Sequence, residues 1–196
     1  MYMKKVTLNT FRCFEHIEID LHPRLTVLVA ENGGGKTAVL DGIAVGLSPL
    51  LKYFSTANQR LSGPGIHDTD FRLVRAEVRA GKEQWVASEF AQIIIETDTL
   101  KWDAWRPSGA KKPLESKVGQ AELAEYASKV VDSLASINTH ELLPVFAYYG
   151  ARRGWLEVPK RIRESKINYS YPTSSLHGCL DSLSDFKEML KWFDDA

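Results

Sequence analysis

The sequence predicts an α/β fold in which a mixed sheet is entered through an antiparallel hairpin. Three observations predict it. Ile17, Ile19 and Leu21 alternate with Glu18 and Asp20, which is the period of a strand with one wet face. Leu25–Ala30 is nearly all apolar and runs into Gly33-Gly34-Gly35. Val39, Leu40, Ile43 and Leu47 then recur at helical spacing.

At 196 residues the chain is long enough for one sizeable core and short for two independent domains. Its 44% hydrophobic and 26% charged content is ordinary for a globular domain and excludes a wholly disordered chain. Lys plus Arg and Asp plus Glu number 25 each, so a global basic field for nucleic acid is excluded while a local patch is not. No apolar run is long enough to span a membrane, and no long apolar stretch follows Met1–Lys5 as in a secretory leader. Cys13 and Cys179 lack metal-ligand spacing, the five histidines are scattered, and a cytoplasmic setting with two free thiols is expected.

The elements follow in order. Val6 and Leu8, then Ile17–Leu21, make the N-terminal hairpin, and Pro23 ends it. Leu25–Ala30 is expected to be a central strand covered on both faces. A helix is predicted from Lys36 to about Leu47. Residues 56–70 are rich in Ser, Gly and Pro and read as a loop. Strands are predicted over Val74–Val78, near Gln84–Ser88, over Phe90–Glu96 and over Leu100–Trp105, with a turn at Gly81-Lys82. After a polar linker, Gln120–Ala135 is an amphipathic helix with Leu123, Ala127, Val130, Val131 and Leu134 on one face. Leu143–Tyr149 reads as a buried strand and Leu183–Phe193 as a helix. That last apolar stripe ends the chain without a cap, so a longer parent protein is expected.

The chemistry concentrates in Ala30-Glu31-Asn32-Gly33-Gly34-Gly35-Lys36-Thr37. This is the P-loop spacing G-x-x-x-x-G-K-[ST] with Ala30 at the first position. Successive backbone N–H groups of such a turn form a nest for phosphate oxygens, and the glycines permit positive φ and close approach of the ligand. The helix opening at Lys36 adds the positive end of its dipole. Lys36 would bridge the β- and γ-phosphates of ATP, and the Thr37 hydroxyl would ligate Mg²⁺.

The stretch Leu8-Asn9-Thr10-Phe11-Arg12-Cys13-Phe14, the hairpin, the apolar run and Glu31–Thr37 together resemble the N-terminus of RecF/SMC-like, ABC-type AAA-family P-loop ATPases. The chain is most similar in this respect to Septu and retron-associated phage-defence ATPases. Asp70-Phe71-Arg72 and the Tyr148-Tyr149-Gly150 turn match further elements of that family. The resemblance implies a P-loop NTPase fold, here the first part of an ABC-type head lobe with a mixed sheet. It divides the chain into hairpin and P-loop (1–50), a β-rich insert (about 71–106), a helix and strand (about 120–150), and a basic loop with a final helix (150–196). It implies that Arg12 lies near the nucleotide. It also implies head dimerisation driven by nucleotide, and an effector or DNA as partner. Departures from the family pattern are Ala30 for Gly, Thr10 where Asn is common, and Ala151–Trp155 for a Thr-Gly-Arg-Leu-Trp-like run.

A complete site of this type also needs an apolar strand ending in Asp-Glu and a Leu-Ser-Gly-Gly-Gln-like loop. Ile93–Asp98 lacks the Asp-Glu pair. Leu61-Ser62-Gly63-Pro64-Gly65 is misplaced, and Pro64 removes an N–H. Little or no turnover by residues 1–196 alone is therefore expected. Residues 150–166 carry six Lys/Arg against Glu157 and Glu164, beside Tyr148, Tyr149 and Trp155, a candidate nucleic-acid patch or a solvated basic loop. Two other readings stay open: a phosphotransferase acting on a small substrate, and an interaction module with a vestigial P-loop.

Overall fold

Val6 and Leu8 on one strand face demand apolar partners, and the sheet supplies them. In the computed structural model, which describes residues 1–56, 59–78, 82–109, 118–135, 142–150 and 171–181, β1 (Met3–Phe11) pairs antiparallel with β2 (Phe14–Asp20) and with β5 (Phe90–Thr97). β5 in turn pairs with β6 (Lys101–Pro107), giving the order β2-β1-β5-β6. The register aligns Ile19, Val6, Ile95 and Trp102 across four strands, and beside them Ile17, Leu8, Ile93 and Ala104. Each rung puts four side chains on one face, so a one-residue slip would turn the whole set to solvent.

That face is covered by α1 (Lys36–Tyr53), with α2 (Gln120–Ala135) packed beside it. α1 runs six residues beyond the expected end at Leu47. Leu47, Leu50 and Leu51 continue its apolar face as buried residues, and that burial carries the helix through Pro49. Gly46 lets the helix approach the sheet, since a Cβ there would stand 2.7 Å from Ile95 and 2.8 Å from Ile93. Opposite, the buried Trp102 indole donates to the Gly46 carbonyl at 2.8 Å. β3 (Leu73–Val78) and β4 (Lys82–Ala87) form a separate antiparallel pair, joined to the main sheet through the Phe11–Phe71 bridge.

The polar side chains also cross the sheet in line. His16 Nδ1 meets Asn9 Oδ1 at 2.7 Å, Asn9 donates to Gln92 at 3.0 Å, and Gln92 donates to Asp103 at 2.9 Å. Asp103 is buried and also accepts the Val118 N–H at 3.1 Å, which fixes the entry to α2.

Two expected core strands differ. Leu25–Ala30 has no ladder partner among the described residues. Leu25, Val27 and Val29 are exposed, whereas Leu28 packs on the core. Leu142–Gly150 likewise belongs to no ladder among the described residues, although the Tyr148 N–H donates to the Cys179 carbonyl at 2.8 Å; Leu142, Val145 and Tyr149 point outward and Leu143, Phe146 and Tyr148 inward. Both keep the alternation of a strand, but no strand among the described residues ladders with them. Among the described residues both sheets are therefore antiparallel, where a mixed sheet was expected. The Gly81 turn, residues 151–166 and the helix over 183–193 lie outside the described residues.

Candidate phosphate-binding site

The segment before α1 is a tight turn. Gly33 and Gly35 adopt φ of 84° and 85°, a region that other residues enter only with strain. The Gly34 N–H closes the turn on the Glu31 carbonyl at 3.0 Å. Gly35 is the N-cap of α1. It brings no capping side chain, and no acidic residue occupies the first turn, so neither of these meets the positive end of the helix. A Cβ at Gly35 would fall 2.5 Å from the Phe14 ring and 2.9 Å from Cys13 Sγ, so the hairpin turn stands directly against the loop. The Lys36 ammonium folds back over the loop to the carbonyls of Ala30 (2.7 Å) and Glu31 (2.8 Å). Ala30, Glu31, Asn32 and Thr37 are exposed.

Thr37 opens onto a cavity of about 850 Å³ whose wall includes Arg12, Asp41, Asp70 and Tyr148. Arg12 occupies the two-residue turn between β1 and β2 with φ 51°. Its Nε donates to Asp70 at 2.7 Å and its Nη1 to Asp41 at 2.5 Å. Its backbone N–H donates to the Asp70 carbonyl at 2.7 Å, and Arg72 donates to the carbonyl of Cys13. The Asp70-Phe71-Arg72 element thus clamps the Arg12 turn. Burial opposes the Arg12 charge, but the bonds to Asp41 and Asp70 outweigh it and raise the guanidinium pKa above its ordinary value. The Tyr148 hydroxyl donates to the other Asp41 oxygen. Burial, reinforced by that bond, lifts its pKa above the ordinary 10.0.

The structure places Arg12 and Thr37 on the wall of one cavity, with Lys36 next to Thr37 at the start of α1. Asp41 and Tyr148 line the same cavity: the sequence gives no role to Asp41, and it places Tyr148 beside a basic loop and not at the Arg12 ion pair. Asp41 follows Thr37 by four residues, the spacing that puts two side chains on one helix face, and that signal was available in the sequence. Leu61–Gly65 behaves as a loop, with its Ser62–Gly65 part on the cavity wall. The acidic end of β5 is engaged locally: Glu96 pairs with Lys101 at 3.3 Å and Asp98 accepts the Tyr2 N–H at 3.0 Å. Among the described residues no cluster of His, Cys, Asp and Glu could hold a metal ion by itself, and no helix is long and apolar enough to cross a membrane.

A family profile described as an AAA domain matches residues 5–193. The chain belongs to the AAA domain family. This AAA domain is RecF/SMC-like. It is 50% identical over 105 residues to structural maintenance of chromosomes protein 6 of Saccharomyces cerevisiae, covering 54% of the chain and 8% of that protein. It is 33% identical over 86 residues to the DNA replication and repair protein RecF of an Arthrobacter species, covering 44% of the chain and 20% of RecF. To a retron Ec83 probable ATPase of Escherichia coli it is 25% identical over 199 residues, covering 97% of the chain and 34% of the relative. The AAA domain thus spans about a third or less of the length of these relatives.

Proposed function

We propose that this chain is the ATP- and Mg²⁺-binding part of a RecF/SMC-like ATPase. The observation that carries the reading is the uncapped N-terminus of α1, preceded by a glycine turn with two positive φ values and roofed by the Lys36 ammonium. The backbone amides of residues 33–37 would hold phosphate oxygens, and Lys36 would exchange its two carbonyl partners for phosphate. The donor set fits the cation as well. Thr37 offers an exposed hydroxyl at the cavity wall, and Mg²⁺ takes few protein ligands alongside phosphate oxygens and water. Bound Mg²⁺ would neutralise phosphate charge. The chain's own part is to orient the triphosphate and place Arg12 near it.

We further propose that this site is one half of an ABC-type head, and that occupancy drives association with a second head or an effector. Similarity to a DNA replication and repair protein supports a DNA-linked role for the parent protein. Equilibrium dialysis with ATP·Mg²⁺ tests the first step. Binding by the native chain should fall at least tenfold in Lys36→Ala, as expected for loss of a charge-assisted contact. Equal binding by the two chains would favour the vestigial-loop reading.

A further inference from the structure

Arg12 is shared by two carboxylates that are held very differently. The Asp70 side chain is only 3% exposed, and its second oxygen accepts the His67 N–H at 2.8 Å. Its carbonyl also holds the Arg12 backbone at 2.7 Å, so Asp70 is fixed at several points. The Asp41 side chain is 24% exposed and has Arg12 and the Tyr148 hydroxyl as partners. One guanidinium between two carboxylates has its positive charge neutralised within that group, which masks it from an incoming anion.

We propose that Asp70 is the positioning residue that keeps Arg12 in the cavity wall, and that Asp41 is an exchangeable counter-ion that a bound triphosphate displaces from it. Asp41 lies one helical turn beyond Thr37 on the same face of α1, so a guanidinium released from Asp41 stands one turn from the hydroxyl of the phosphate loop. Tyr148 makes the exchange feasible, because its hydroxyl stays on Asp41 when Arg12 turns away and the carboxylate is never left without a donor. The resting ion pair holds the turn in shape while masking its charge. The proposal rests on the phosphate-loop reading.

The test is a double-mutant cycle on binding of a non-hydrolysable ATP analogue with Mg²⁺ to the 196-residue chain. Asp41→Asn, which keeps the shape and removes the charge, should tighten binding about three- to tenfold, the range of a partly exposed ion pair. The same change in an Arg12→Ala background should give no gain. Tyr148→Phe, which removes the donor that stays on Asp41, should weaken binding about two- to fivefold, and that loss should vanish in the Asp41→Asn background. Weaker or unchanged binding by Asp41→Asn overturns the proposal. So does a gain that persists without Arg12, which would be a general charge effect. Should Asp41→Asn fail to fold, unchanged or tighter binding by Tyr148→Phe overturns it. If the native chain binds no triphosphate, or binds it independently of Lys36, the phosphate-loop reading falls and this exchange with it. Lys36-dependent binding without the gain removes the exchange alone.

Discussion

Cys13 shows how closely single residues are set around the phosphate loop. It is exposed, yet its sulfur would lie 2.9 Å from a Cβ on Gly35. A ligand seated at the N-terminus of α1 would therefore screen it. Alkylation of Cys13, followed by mass spectrometry, is expected to slow when ATP·Mg²⁺ is added and to be unaffected by ATP in Lys36→Ala; Cys179, whose thiol pKa burial raises, should react slowly throughout. Thr10 is instructive in another way. It sits at φ 48°, where a β-branched residue is strained and Asn is tolerated, and Asn is the residue common at this position in the resembling family. The strain is held by the Thr10 hydroxyl on the Phe90 carbonyl at 2.5 Å and by the Arg72 N–H on the Thr10 carbonyl at 3.1 Å.

At the scale of elements, the hairpin and the helix–sheet seam make separate predictions. Lys5 faces Asp20 across the pair and Glu18 on the diagonal, at 3.6 and 3.0 Å. The Lys5 hydrogen bond lowers the Glu18 pKa below its ordinary 4.5. A lowered carboxylate pKa stabilises the fold above the unfolded value, and the effect is lost as pH falls through the folded one. Urea titrations should show Glu18→Gln slightly less stable than the native chain at neutral pH and equal to it once both carboxyls are protonated in acid. In α1, Gly46→Ala sets helix propensity, worth about 1 kcal/mol in favour, against a Cβ 2.7 Å from Ile95. Overpacking costs about 1–3 kcal/mol and should win, so the urea midpoint should fall. A rise would mean that the sheet can give way.

The elements that sequence reasoning recovered are those whose pattern closes locally. The hairpin alternates, and α2 spans Gln120–Ala135 as predicted because its apolar stripe is continuous along one face, which packs on α1 and β6. The spacing of Val39, Leu40, Ile43 and Leu47 predicts a helix only to about Leu47, whereas the burial of Leu50 and Leu51 that carries α1 past Pro49 is tertiary. Leu25–Ala30 and Leu143–Tyr149 have the composition of central strands, but composition cannot supply the neighbouring strand that makes them so. The same limit held at the site. Gly33–Thr37 is contiguous and could be read directly, whereas Asp70 and Tyr148 reach Arg12 from 58 residues away and through Asp41 at a separation of 107.

For the molecule as a whole, no strand among the described residues ends in an Asp-Glu pair. A triphosphate can be held by a nest, an ammonium and a hydroxyl, but hydrolysis needs a group that orients water and an opposing charge. Phosphate release by residues 1–196 is expected to stay at background even where ATP binding is demonstrable; robust turnover abolished by Lys36→Ala would show that the catalytic groups lie within these residues.

The bond between the Trp102 indole and Gly46 has an optical consequence. Trp102 is wholly buried against the middle of the helix whose first turn carries Lys36 and Thr37, while Trp85 is 62% exposed. With Trp105, Trp155 and Trp192 replaced by Phe, emission from the inner ring should be blue and beyond the reach of iodide, whereas Trp85 should be quenched. A sliding helix would break the indole bond and redden the inner ring, so the chain carries its own gauge of whether filling the loop moves the scaffold or leaves it still.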